Sequence, residues 1–175
     1  MNQRLIVIAG FMGSGKTTVA RALGNLLNCD AVDLDESIAQ GQQRSPKEII
    51  EQEGEDKFRQ IETVALSEVL KKDAAGVVAL GGGTWTIPAN RKLLADHGAI
   101  TIWLDAPFEL CWARIEAAHP KRPLAPSEEA ARQRFQERLH TYALADYRVE
   151  ITETESAGET ARRIAALVSP DSANS

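Results

Sequence analysis

A chain of 175 residues, 43% hydrophobic and 26% charged, is long enough to bury one sizeable core and too short to favour two domains. Its net charge of −5 gives no general basic footprint, which disfavours a nucleic-acid partner and requires cations for an anionic ligand to be gathered locally. No apolar run approaches the ~18 residues of a membrane span, and the chain runs straight into a strand-like segment without a signal cleavage region, so a cytoplasmic protein without a membrane partner is expected.

In chain order, "RLIVIAG" predicts a first strand and leads into "GFMGSGKTT", Gly10 to Thr18. Gly10, Gly15, Lys16 and Thr17 fit G-x-x-x-x-G-K-[ST], and the helix-like "TTVARALGNLL" follows, as a P-loop requires. Glycines let consecutive backbone N–H groups turn onto one anion, and the helix aims its positive end at it. Gly13, Ser14, Gly15, Lys16, Thr17 and Thr18 are therefore the expected ATP-binding residues. Lys16 adds charge near the β- and γ-phosphates, and Thr17 would place its hydroxyl on Mg²⁺.

The second strand-like run, "AVDL", opens into "DLDESI", with Asp33 and Asp35 two apart at a strand end. Alternation would point them different ways unless the strand stops between them. Asp33 could turn to Mg²⁺ while Asp35 faces a phosphoryl acceptor and takes its hydroxyl proton; the plainer reading of Asp35 is an N-cap for "ESIAQ". Next, "GEDKFRQIE" opens a helix continuing through "TVALSEVL". Arg59 and Glu62 share its face at i, i+3, where Arg59 could clamp an anion that Glu62 helps to orient, or form an ordinary solvated pair.

"GVVAL" predicts a third strand ending in Gly81, Gly82 and Gly83, where backbone can approach a ligand closely or simply turn. "AITIWL" predicts a fourth, ending at Asp105, which could resemble a metal-binding carboxylate but is expected to cap "APFELCWARI". "AAHPKRPLAPSEEA", residues 117–130, reads as a mobile lid carrying Arg122 or as a plain connector. The helical "ARQRFQERLHTYAL" and a fifth run, "YRVEI", follow, and "SPDSANS" reads as a frayed tail at 169–175. Cys29, Cys111 and the scattered histidines lack metal-ligand spacing. Alternating strands and helices imply a parallel α/β sheet, whose ligands bind beyond the carboxyl ends of the strands.

Taken together in order, "GFMGSGKTT", "DLD", "GEDKFRQIE", "LGGG", "KRPL" and "RLHTY" resemble the shikimate kinase family, small P-loop enzymes that move the γ-phosphate of ATP to the 3-hydroxyl of shikimate in aromatic amino acid biosynthesis. The resemblance spans nearly the whole chain. It implies a five-stranded parallel sheet in the order 2-3-1-4-5, one kinase domain over 1–168, a substrate-binding segment at about 34–62 and a monomer. By the same resemblance Asp33 belongs with Thr17 to the Mg²⁺ environment, Arg114 lies beside the adenine, and Arg122 reaches the phosphates. Asp35, Arg59, Arg138 and the backbone of Gly81 to Gly83 would hold shikimate, with Lys16, Asp35 and Arg122 catalytic. Ile50 in "EII", Thr84, Trp85 and Thr86 after the glycines, and Ala125 in "RPLA" depart from the usual family residues. They could reshape the pocket by about 1 to 3 kcal/mol of discrimination without removing a charge. A kinase for another hydroxylated acid of gluconate type, or a nucleotide-binding module without turnover, is the competing reading.

Overall fold

The computed structural model describes residues 4–72, 75–118 and 126–169. Among them the strand-like runs become β1 (Ile6–Ala9), β2 (Asp30–Asp33), β3 (Ala75–Ala79), β4 (Ile100–Asp105) and β5 (Tyr147–Glu150), all parallel, in the order β2-β3-β1-β4-β5. Ile6 pairs with Val77 on one side and Ile100 on the other, so β1 lies at the centre. Helices cover both faces of such a sheet, which is why "IVIA" is apolar throughout rather than alternating, and all of it is buried.

Among the described residues the helices are α1 (Lys16–Leu27), α2 (Leu34–Gln42), α3 (Pro46–Glu53), α4 (Glu55–Lys72), α5 (Pro88–Asp96), α6 (Phe108–Ala117), α7 (Glu128–Tyr142) and α8 (Ala157–Val168), with a 3₁₀ turn at Thr84–Thr86. Val19 and Leu23 of α1 and Ala161 and Ile164 of α8 join the strands in one core. Two helices start with reciprocal caps: Ser45 accepts from the Glu48 amide while Glu48 accepts from the Ser45 amide, and Ser156 and Glu159 repeat this at α8.

Two junctions differ from the sequence expectation. The second strand ends at Asp33, and Leu34 turns inward as the fully buried first residue of α2. The N-cap of α2 is Asp33, whose Oδ1 accepts from the Glu36 amide at 3.1 Å, so the capping role considered for Asp35 falls on its neighbour. Asp105 does not cap the helix after β4. Ala106 and Pro107 intervene, Pro107 takes the N-cap position at φ −54°, and no side chain caps α6. Asp105 turns instead to the edge strand, where its Oδ2 accepts from Arg148 Nε at 2.7 Å.

Candidate active site

The loop between β1 and α1 is shaped by its glycines. Gly13 and Gly15 sit at φ +81° and +97°, a region that side-chain-bearing residues rarely adopt. A Cβ on Gly13 would also lie 2.6 Å from the Cys111 carbonyl oxygen, so α6 packs directly against the loop. Ser14 is buried, and Thr18 is exposed on the first turn of α1. Lys16 begins that helix and donates from Nζ to the Phe11 carbonyl at 2.9 Å, which bends the ammonium back over the loop. From α6, Arg114 Nη1 donates to the Gly13 carbonyl at 3.0 Å.

Beside the loop, the Thr17 hydroxyl donates to Asp33 Oδ2. One carboxylate thus serves two elements, capping α2 through Oδ1 and holding the P-loop helix through Oδ2. Lys16, Thr17, Asp33, Asp35, Gly82 and Arg114 line a common cleft of about 230 Å³. The strand stops between Asp33 and Asp35, where α2 begins, and both carboxylates line this one cleft.

Asp35 reaches the second half of the site. A Cβ on Gly81 would lie 2.8 Å from Asp35 Oδ1 and 2.5 Å from Glu62 Oε1, and one on Gly83 would fall onto the Arg59 guanidinium. The missing side chains therefore make room for α4 to approach the end of β3. Arg59 pairs with the fully buried Glu62 and, through Nη2, with Glu55 Oε1 at 2.8 Å. Burial by itself lowers the pKa of Arg59, but the carboxylates of Glu62 and Glu55 outweigh it and raise the pKa above its ordinary value.

Arg138 comes from α7 on the other side. Its Nη1 donates to the Gly82 carbonyl at 3.0 Å, and the same carbonyl accepts from the Tyr142 hydroxyl. Burial, then the positive charges of Arg59 and Arg134, hold the Arg138 pKa below its ordinary value. A guanidinium remains charged nonetheless, so cations stand crowded where an anion would relieve them. Burial also pushes the Tyr142 hydroxyl up to about 12, leaving it a neutral donor.

The sequence-expected residues thus fall into two adjoining groups. Lys16, Thr17, Asp33 and Arg114 stand with Gly13, Ser14, Gly15 and Thr18 around the loop; Asp35, Arg59, Arg138 and Gly81 to Gly83 stand beside it, with Asp35 and Gly82 bordering both. Arg122, Ala125 and the remainder of 119–125 lie outside the described residues, as does most of the tail. Sequence reasoning overlooks Tyr142, which follows Arg138 by four positions and so shares its helix face, a spacing that "RLHTY" displays. It also overlooks Arg134, whose Nη1 donates to Glu55 Oε1 at 3.1 Å and ties α7 to α4; no local pattern joins residues so far apart in the chain.

A glycine-shaped loop with lysine and threonine at a helix start, sharing one cleft with two aspartates and an arginine, defines a P-loop phosphotransferase. The family model for shikimate kinase matches residues 12–169. A shikimate kinase of Gloeobacter violaceus is 38% identical over 173 residues, covering 96% of each chain, and one of Thermosynechococcus vestitus is 39% identical over 150 residues, covering 84% of this chain and 80% of the other. Among solved structures, shikimate kinase from Acinetobacter baumannii in complex with shikimate superposes with a TM-score of 0.87 at 34% identity, covering 94% of this chain and 92% of that one. The chain belongs to the shikimate kinase family.

Proposed function

We propose that the protein transfers the γ-phosphoryl group of ATP to the 3-hydroxyl of shikimate, giving shikimate 3-phosphate for aromatic amino acid biosynthesis. The observation that carries this reading is the convergence of Arg59, Arg138 and Asp35 on the Gly81 to Gly83 backbone, directly beside the P-loop. Paired guanidinium groups suit a carboxylate, and an adjoining aspartate suits a hydroxyl, so a small hydroxylated acid fits the chemistry of the site.

In this reading the loop amides and Lys16 receive the ATP phosphates, and Ser14, buried with a hydroxyl that has no protein partner, adds a donor at the loop. Arg114 borders the nucleoside side of the loop. Thr17 and Asp33 would hold Mg²⁺: a hydroxyl and a carboxylate are the oxygen donors this hard ion takes, and among the described residues no group of three or more His, Cys, Asp or Glu side chains could hold a metal. When bound, the ion neutralises charge on the phosphates. Asp35 orients the acceptor hydroxyl and accepts its proton, while Arg59 and Arg138 fix the acid by its carboxylate. Arg122 is the lid residue of this scheme, with 117–130 as the lid and about 34–62 as the acceptor-binding segment of one domain. Among the described residues no helix is long and apolar enough to cross a membrane, and the protein is proposed to act in the cytoplasm as a monomer.

The decisive experiment couples ADP release to added acceptor with purified protein and Mg²⁺-ATP. Shikimate-dependent turnover is expected. Turnover with gluconate in its place would move the assignment to another acid kinase, and acceptor-independent nucleotide binding without turnover would reduce the chain to a binding module.

A further inference from the structure

Thr84, the first residue after the triple glycine, is wholly buried, as is Glu62. Its hydroxyl donates to Glu62 Oε1 at 2.6 Å, while Glu62 Oε2 receives Arg59 Nη1. The two carboxylate oxygens are therefore divided between a fixed hydroxyl and a guanidinium. Thr84 is itself held by its backbone: its amide donates to the Gly81 carbonyl at 3.2 Å, and its carbonyl accepts from Asn90 Nδ2 at 3.0 Å. On the other side of Arg59, Glu55 is half-exposed and shared with Arg134. The rigid support of this guanidinium is thus the Thr84–Glu62 side.

Resting on the acceptor reading given above, we propose that Thr84 is a positioning residue for acid recognition. By occupying Glu62 Oε1 it keeps that carboxylate from rotating onto Arg59 with both oxygens, and so holds the guanidinium at the angle that receives the acceptor carboxylate. Without the hydroxyl, a buried carboxylate oxygen loses its donor and draws on the donor that already holds the other oxygen, Arg59. The consequence falls on the acid alone. Lys16 and the P-loop glycines make their contacts elsewhere, so ATP handling should be untouched.

The test is steady-state kinetics of the full chain and its Thr84→Val and Thr84→Ser variants, with shikimate and with an analogue whose carboxylate is replaced by a primary alcohol. Thr84→Val keeps the volume and removes the donor, so KM for shikimate should rise about tenfold with kcat and KM for ATP within about twofold, the scale of one hydrogen bond to a charged group. Thr84→Ser should restore the wild-type value. With the alcohol analogue, Thr84→Val and wild type should be alike. Equal losses on both acceptors, or a fall in kcat at unchanged KM, would show a merely structural hydrogen bond and overturn the proposal. If Thr84→Val does not fold, Thr84→Ala with shikimate and ATP affinities measured by calorimetry decides between the same outcomes. Absence of wild-type turnover with shikimate would sink the parent reading and this one with it, whereas normal wild-type turnover with equal variant losses would sink only this one.

Discussion

The Thr17 hydroxyl and the Asp33 carboxylate are hydrogen-bonded across the mouth of the cleft, joining the start of α1 to the end of β2. Asp33 also caps α2 through its other oxygen, so in the proposed reading helix stability and metal affinity fall on different oxygens of one side chain. Substitutions can separate them. Asparagine caps as well as aspartate does, so Asp33→Asn should leave the thermal midpoint nearly unchanged while raising the Mg²⁺ concentration needed for half-maximal rate. Asp33→Ala should show the same metal defect and lose about 1 kcal/mol of stability in addition. Thermal melts and Mg²⁺ titrations of the rate on both variants check this, and an unaltered Mg²⁺ dependence would remove Asp33 from the metal site.

Lys16→Ala should reduce phosphoryl transfer by about 10²-fold or more, the scale of a lost transition-state donor. Its neighbour in the cleft, Arg114, is already engaged by the Gly13 carbonyl and does not replace the ammonium. Single-turnover kinetics of the folded variant are the measurement, and near-normal transfer would contradict the role of the loop.

Arg59→Ala and Arg138→Ala should weaken shikimate binding far more than ATP binding, by about 10- to 100-fold each, because each removes a charge-assisted contact. Arg59→Ala carries a second effect. It strands Glu62, which is 0% exposed, with Thr84 as its remaining partner, and should therefore be the less stable of the two variants. Calorimetric titration with each ligand, alongside denaturant unfolding, checks both statements; equal losses of ATP affinity would assign these arginines to the nucleotide or the fold.

Asp35→Asn keeps size and one acceptor oxygen but loses charge and basicity. Transfer should slow by about 10²-fold or more at nearly unchanged affinity for both ligands. A much smaller loss, with binding intact, would mean that the proton leaves late in a dissociative transition state and that Asp35 chiefly positions the hydroxyl. Wild-type rate and affinity together would exclude it from the acceptor site.

The donor half of the site is legible in a single stretch, because a P-loop encodes its conformation locally through Gly13, Gly15 and the helix that follows. The sheet order enters through the resemblance to a family, since strand neighbours cannot be read from periodicity alone. Helix starts at α3 and α8 were available as S-x-x-E patterns, at Ser45–Glu48 and Ser156–Glu159. Asp105 was open to misreading because an aspartate after a strand suits both a cap and a pair, and only the register of β4 beside β5 decides for Arg148. The links from Glu55 to Arg134 and from Gly82 to Tyr142 join residues far apart in sequence, and tertiary packing alone brings them together.

One consequence follows from the position of β1 between β3 and β4. Its neighbour β3 delivers Gly82 so close to the donor loop that a Cβ there would lie 3.3 Å from the Met12 amide nitrogen. In the proposed reading the floor under the acceptor and the cradle for the phosphates are adjacent ridges of one hydrogen-bonded slab, and backbone sets their separation. Arg59 and Arg138, by contrast, reach the Gly82 and Gly83 backbone from α4 and α7, outside the slab. On that reading, the recognised acid can be exchanged by rewriting two peripheral helices, while the stroke length between leaving group and incoming oxygen is inherited unchanged.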